Sequence, residues 1–383
     1  MTGTTPHSTS HTTTDDTFRQ RIRTLLGDLV LPHADDWEAR GHLAPAAWKA
    51  LAGEGLLGLA HRGEAFLESA VLLEELGRTG YAGVRASVGV HAYMATSYLD
   101  LFGTPEQRAA YLEPARRGER LAALAITEAE AGSDLSRLGT RARPAADGGL
   151  LVSGEKLYVA NGSQASFFVT LVKTRDATTR DGAAPARGLT GVSLLLIDAD
   201  TPGVHRTEQK MLGWRSADVC RVVFEDVAVP EDRILGRRDL ALIHLIQGLD
   251  FERLVAGLLA LGGVTHCLEL LDAHVRRRRI KDTPLYAHQA VRHQLAELTA
   301  DHELVTQYGR HAARLHSLGK LDSRTATVLK LKATELAVRA AHVCLQFHGA
   351  QGCLDESTAA RLYRDSAAGT IAAGASELLR DLI

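Results

Sequence analysis

Two stretches of this sequence carry residue types that could hold a ligand: Leu121 to Asp134, LAALAITEAEAGSD, and Gly154 to Gly162, GEKLYVANG. The first begins as an apolar, strand-like run from Leu121 to Thr127. It then breaks into a Glu/Ala/Gly/Ser turn, the change of pattern that marks a strand leaving a core for a loop. Gly132, Ser133 and Asp134 offer a flexible backbone, a hydroxyl and turn chemistry, all suited to close approach by a diphosphate or the edge of a flat ring. Turns of this composition also occur as plain turns, so spacing alone leaves both readings open.

The elements that must position these segments follow from the hydrophobic period. From Phe18 to about Glu119 apolar residues recur at three- and four-residue spacing, with Pro45 where a helix starts and Gly53, Gly55 and Gly58 near one that ends. This predicts a helical domain over residues 17–119, after a Thr- and Ser-rich tail, 1–16, that is expected to be disordered. Between about Leu121 and Leu235 the period changes to short strands: LAALAIT, TRARP, LLVSGEKLYV, SFFVTLVKT, GVSLLLIDA and CRVVFEDVAV. They are punctuated by Asp147-Gly148-Gly149 and by a loop from Asp176 to Gly191. A small β-barrel or sandwich over residues 120–236 is the expected result. Long helical runs from Leu240 to Ile383 predict a helix bundle over residues 237–383. No GxGxxG follows a strand, which disfavours a Rossmann unit.

Composition narrows the function classes. The chain has 383 residues, 45% hydrophobic and 23% charged, with a formal net charge of −2, so it lacks the basic field of a nucleic-acid binder. Arg276 to Arg279 form the longest basic run, expected to be a solvated helix end, with contact to an adenosine or a phosphate as the alternative. Cys220, Cys267, Cys344 and Cys353 are far apart in the chain with no CxxC pair, a pattern that predicts neither a metal site nor a disulfide framework and fits a cytoplasmic setting. No run was expected to be long and apolar enough to span a membrane, and the first residues do not resemble a signal segment.

Four separated anchors resemble, in order, those of the acyl-CoA dehydrogenase flavoprotein family: ITEAEAGSD at 126–134, KLYVANG at 156–162, KMLGWRSADV…VVFEDVAVP at 210–230 and QFHGAQG at 346–352. LDFERL at 249–254 and RLYRD at 361–365 extend the likeness from about Phe18 to the C-terminus. The resemblance implies an α+β multidomain fold: an N-terminal helical domain, a central β-barrel or sandwich and a C-terminal four-helix bundle. It implies FAD as cofactor, an acyl-CoA or acyl carrier protein thioester as substrate, an electron-transfer flavoprotein or other acceptor as partner, and a homodimer or homotetramer.

Oxidising an acyl thioester at its α and β carbons needs a base, polarisation of the carbonyl and a hydride acceptor, and only a cofactor such as flavin supplies the last. By resemblance Ile126, Thr127, Gly132 and Ser133 border the isoalloxazine and diphosphate, while Tyr158 and Ala160 flank the ring. The alternative for Tyr158 is a strand-core aromatic. Ala160 replaces the family's usual Thr or Ser, removing a hydroxyl whose hydrogen bond is worth about 1 kcal/mol. Many members carry the base as a Glu before Gly-Thr near the C-terminus, where this chain has Ala373 followed by Gly374. The isovaleryl-CoA and long-chain types carry it instead on a bundle helix, in a sequence like Leu249-Asp250-Phe251-Glu252-Arg253-Leu254. Glu252 is thus the expected base, its pKa raised by an apolar helix; the alternative is a surface charge. The Ala373 backbone N–H is expected to polarise the carbonyl and Arg253 to orient the site. Arg278, Gln289, Gln346 and Gly349 match the family's adenine-end contacts, made across a subunit interface, although Lys281-Asp282 stand for Phe-Gly and Ala350 for the second glycine. The six residues between Leu59 and Phe66 shorten a family loop near one end of the acyl site. A flavin monooxygenase and a non-catalytic thioester-binding protein remain alternatives on the same scaffold.

Overall fold

The structure, a computed structural model, describes residues 9–146, 148–175 and 191–383. Residues 1–8 of the expected tail, Asp147 and most of the loop predicted over 176–191 lie outside the described residues. The first helix, α1, begins at Thr9 and runs to Leu29, so the tail expected to be disordered to residue 16 is helical from residue 9.

Helices α2 (Ala34–Arg40), α3 (Pro45–Gly53) and α4 (Phe66–Arg78) follow. Pro45 opens α3, a position where its missing N–H costs nothing. The next helix is continuous from 82 to 102 but changes pitch: α5 (Ala82–Gly89) passes through a π-helical turn (Val90–Ala95) into α6 (Thr96–Phe102). Thr104 and Gln107 then form a reciprocal capping box that starts α7 (Pro105–Gln107), ahead of α8 (Glu113–Arg116).

Strands β1 (Ala122–Ala125), β2 (Arg141–Pro144), β3 (Leu150–Val159), β4 (Phe167–Lys173), β5 (Val192–Asp198), β6 (Val204–Glu208), β7 (Cys220–Val229) and β8 (Ile234–Leu235) build one sheet. Its order is β6-β7-β3-β2-β4-β5-β8, with β1 pairing parallel to β4. The near-continuous apolar runs of β4 and β5 have a physical cause, for both faces are covered. Phe168, Val172, Leu195 and Ile197 pack with Val152, Val222 and Phe224 in the core inside the curled sheet. The alternate residues Phe167, Val169, Leu171, Leu194 and Leu196 pack outward on Tyr98, Leu99 and Tyr111 of the helical part. Sequence reading did not find β6, whose residues are mostly exposed, or the two-residue β8.

The C-terminal part is a bundle of α9 (Ala241–Arg277), α10 (Gln289–Ser317), α11 (Ser323–His348) and α12 (Thr358–Gly369), followed by α13 (Ser376–Asp381). A two-strand hairpin, β9 (Arg279–Ile280) and β10 (Thr283–Pro284), joins α9 to α10. Contrary to expectation, α9 is long and apolar enough by length and composition to cross a membrane, with a window of mean hydropathy 1.8. That window is 67% buried, because α9 is the bundle's central helix and shares a core with α1, α3 and α4. Cys267 and Cys344, distant in the chain, meet between α9 and α11, and Cys344 Sγ lies 3.6 Å from His348 Nδ1.

Helices α4 and α9 cross almost backbone to backbone. A Cβ at Gly262 would sit 1.8 Å from the Glu74 carbonyl oxygen, and one at Gly77 would sit 2.2 Å from the Leu259 carbonyl oxygen. Gly262→Ala is therefore expected to lower stability by about 3 kcal/mol, read as a lower denaturant midpoint at unchanged slope. An unchanged midpoint would show that the crossing relaxes freely.

Candidate active site

The two ligand-suited segments meet. The Leu157 N–H donates to the Thr127 carbonyl at 2.8 Å, joining β3 to the segment just beyond β1 that carries Ile126. Beneath this junction Lys156, fully buried, donates to the Ile126 carbonyl at 3.1 Å and to Glu128 Oε1 at 2.8 Å. Glu128 in turn accepts from the Gly139 N–H at 2.5 Å and the Thr140 N–H at 3.0 Å. Burial brings the Lys156 ammonium down to about 8 against the pull of Glu128. Burial pushes the Glu128 carboxyl up, but Lys156 and the N–H donors overcome it and hold the group below its ordinary value. Sequence reading did not single out this pair, although both residues stand inside the anchors.

Gly132 and Ser133 lie exposed just beyond a tight turn closed by hydrogen bonds between Glu128 and Ala131 in both directions. Ile126 and Thr127 are half-buried. Tyr158 is 60% exposed, which removes the strand-core alternative. Its φ of 58° is left-handed, an unusual conformation for an aromatic residue, and its N–H donates to Gln209 Oε1 at 2.9 Å. A strained, outward-facing ring beside a Gly-Ser turn suits a flat aromatic ligand, and Ala160 follows it on the same edge. These residues fit a flavin.

The other anchors close onto the same region. The Asn161 and Gly162 N–H groups donate to the carbonyls of Ala217 and Asp218 at 3.0 and 2.9 Å, tying KLYVANG to GWRSAD. Trp214, with φ of 56°, donates its N–H to Asp365 Oδ1 at 2.8 Å and its indole Nε1–H to the Asp365 carbonyl at 2.9 Å. Asp365 belongs to RLYRD, so a loop of the sheet is fastened to the bundle. Burial, together with the charge of Glu38, pushes this carboxyl up to about 6.

Glu252 lies on α9 and is 6% exposed, which removes the surface-charge alternative. Burial pushes its carboxyl up to about 7, while a hydrogen bond from Tyr98 and the charge of Arg253 pull it down. Tyr98 Oη donates to Glu252 Oε1 at 2.9 Å. Ile126 and Leu249 both pack on the apolar cluster that contains Tyr98, so the ligand-suited segment and the helix carrying Glu252 share one wall. Arg253 does not hydrogen-bond Glu252. Its Nη1 donates to Asp250 Oδ1 at 2.8 Å and Ser323 Oγ at 3.3 Å, so it acts on Glu252 through charge.

Ala373 and Gly374 form a left-handed turn, with φ of 54° and 104°. The buried Lys330 Nζ donates to the Gly374 carbonyl at 2.5 Å. Burial, and then the nearby charge of Arg253, bring this ammonium down to about 8. Among the described residues the Ala373 N–H makes no hydrogen bond, as an oxyanion donor requires.

Arg278, Gln289, Gln346 and Gly349 gather at one end of the bundle and are all exposed. The Leu285 N–H donates to the Arg278 carbonyl at 2.8 Å, and His274 Nε2 lies 3.0 Å from the Phe347 carbonyl, which ties the ends of α9 and α11. At 1.5 Å per residue, Arg278 lies roughly 40 Å along α9 from Glu252. The structure thus forms two separate clusters within one chain.

Residues 12–119, 123–227 and 244–383 match, respectively, the acyl-CoA dehydrogenase N-terminal, middle and C-terminal domains. The chain belongs to the acyl-CoA dehydrogenase family. It is 30% identical to the mitochondrial isovaleryl-CoA dehydrogenase of Oryza sativa subsp. japonica, over 97% of this chain and 90% of that protein. Among solved structures it is similar to a putative acyl-CoA dehydrogenase from Mycobacterium smegmatis, with a TM-score of 0.89 and 30% identity over 96% of each chain. It is also similar to the prolyl acyl carrier protein oxidase AnaB, with a TM-score of 0.88 and 25% identity over 97% of each chain. The fold class expected from sequence stands, and the chain is an oxidoreductase that dehydrogenates acyl thioesters with a flavin.

Proposed function

We propose that this acyl-CoA dehydrogenase binds FAD at the Ile126–Ser133 and Tyr158–Ala160 segments and uses Glu252 to remove the α proton of an acyl thioester. The observation that carries this reading is the state of Glu252: buried, bonded to Tyr98 and raised to about 7, while Ala373 holds no carboxyl. A base poised near neutral pH combines a populated carboxylate with real proton affinity. The Ala373 N–H, presented by a left-handed turn that Lys330 braces, is the polarising donor for the thioester carbonyl. Bound FAD supplies the hydride acceptor that no side chain provides. Arg253 is a positioning residue, its positive charge favouring the carboxylate form of Glu252.

The similarity to both an isovaleryl-CoA dehydrogenase and an acyl carrier protein oxidase supports CoA or a carrier protein as the handle of the thioester. The shortened loop is pinned: His61 Nε2 lies 2.7 Å from the Ala92 carbonyl, Ser69 Oγ donates to the Ala60 carbonyl at 2.6 Å, and His316 Nε2 lies 2.8 Å from the His61 carbonyl. Arg278, Gln289, Gln346 and Gly349 serve the adenine end of FAD in a neighbouring subunit, which their distance from Glu252 favours and which makes the active form a homodimer or homotetramer. Electrons then pass to an electron-transfer flavoprotein or a comparable acceptor.

The test is the visible spectrum of the purified protein, followed under anaerobic conditions as short, branched and long acyl thioesters are added on CoA and on a carrier protein. Bleaching of the flavin band by one of them is the expected result and identifies the acyl class and handle together. A bound flavin that no thioester bleaches, with oxygen consumed when a reduced nicotinamide or flavin is supplied, would favour a monooxygenase. Light scattering of the flavin-loaded protein is expected to give two or four chains, and a loaded monomer would refute the shared adenine site.

A further inference from the structure

Tyr98 and Glu252 are 154 residues apart in sequence, on different helices, yet the phenol donates to one carboxylate oxygen at 2.9 Å and both groups are buried. Two features of the backbone make this contact possible. Gly248 stands four residues before Glu252, on the same face of α9, and a Cβ there would lie 2.2 Å from Tyr98 Oη. Only glycine lets the phenol reach across α9. The second feature is the π-helical turn at Val90–Ala95, immediately upstream of α6. A π turn holds one more residue than an α turn, so it rotates everything beyond it, and such turns recur at functional sites.

We propose that Tyr98 is a positioning residue for the base: its hydroxyl fixes Oε1 of Glu252, leaving Oε2 as the oxygen that takes the α proton. The proposal rests on the reading of Glu252 as that base. Tyr98 keeps its own proton, since burial and then the neighbouring carboxyl push the phenol well above its ordinary value. The proton of the substrate therefore ends on Glu252, and Tyr98 remains a donor before and after the transfer.

The other titratable groups around this part of α9 do not duplicate this contact. Arg253 is engaged by Asp250, and Lys330 on α11 by the Gly374 carbonyl. His61 lies 3.4 Å from Asp100 and faces the Phe251 ring at 6.2 Å, with Arg62 beyond it at 3.8 Å from the same carboxylate. His316 on α10 stacks on Phe251 at 4.9 Å, and His244 stands on Phe102 at 4.1 Å. Burial lowers both of these histidines.

The experiment is an infrared pH titration of the flavin-loaded protein, in which the buried carboxyl band that disappears in Glu252→Gln identifies Glu252. In Tyr98→Phe the midpoint of that band is expected to move up by about one pH unit, the equivalent of one lost hydrogen bond to the carboxylate. The acid limb of kcat/KM is expected to move with it, with kcat on the plateau reduced about tenfold and KM little changed. Gly248→Ala, which displaces the phenol sterically, is expected to shift the band in the same direction and serves if Tyr98→Phe fails to fold. An unmoved band and acid limb in a folded, flavin-loaded Tyr98→Phe protein would overturn the proposal. Full turnover by Glu252→Gln would instead overturn the base assignment, while the band shift would still report the contact.

Discussion

Glu252→Gln is expected to reduce dehydrogenase turnover by about a thousandfold while the protein keeps its flavin and its melting temperature. The amide preserves shape and can still accept from Tyr98, but it cannot take a proton, and Ala373 provides no substitute carboxylate. Anaerobic bleaching by the preferred thioester measures the loss without depending on an electron acceptor. If bleaching stayed as fast as in the parent protein, another base would have to exist. The wild-type pH profile follows from the same group. The base works when ionised, so kcat/KM should rise with pH and level off above about 7, where burial has placed this carboxyl. The sign for stability is opposite. A carboxyl raised on folding favours the protonated native state, so this contribution is fully present below the ordinary carboxylate range. It is lost as pH rises towards about 7, at a total cost of a few kcal/mol.

Lys156→Met is expected to be the most damaging change away from the base. It removes the cation from Glu128 and leaves a buried carboxylate facing only two N–H donors, a loss of about 3–5 kcal/mol. The same lysine holds the Ile126 carbonyl, so the turn bearing Gly132 and Ser133 and the edge bearing Tyr158 should separate. The measurable outcome is a lower melting temperature together with flavin lost on gel filtration at a protein concentration where the parent retains it. Glu128→Gln should behave similarly but more mildly, since a neutral partner still meets the ammonium. A Lys156→Met protein with full flavin content and an unchanged melting temperature would show that the pair is dispensable.

What could be read in the sequence was whatever local pattern dictates. Glu252 was singled out by the resemblance of LDFERL to the isovaleryl-CoA and long-chain types, with alanine at 373, and the apolar helical surroundings expected for it agree with its burial. The strand period over residues 120–236 was legible because two covered faces demand apolar residues at successive positions of β4 and β5. What was illegible depends on contacts between distant elements. Tyr98 in isolation is one aromatic residue in an apolar helix, and nothing local says that a carboxylate 154 residues away will meet its hydroxyl. Lys156 and Glu128 read as ordinary charges until the sheet closes over them. Tyr158 could be read as core because its left-handed backbone, which turns the ring outward, leaves no mark in residue type. The helical start at Thr9 and the apolar character of α9 were likewise missed, the first because Thr-rich segments rarely favour helix, the second because scattered charges interrupt the run.

The π-helical turn makes the chemistry of this enzyme depend on a count of residues as well as on their identities. Deleting one residue within Val90–Ala95 while the segment keeps its π pitch would turn α6 by about 100° and draw it back about 1.5 Å. Leu99 would then arrive where Tyr98 now stands, and an aliphatic group would meet the carboxylate. No side chain of the site would have been exchanged, yet Glu252 would lose its donor. Along this helix an insertion or deletion that no change of pitch absorbs would act as a functional mutation, changing how Glu252 is held while keeping every residue that alignment by motif would call essential.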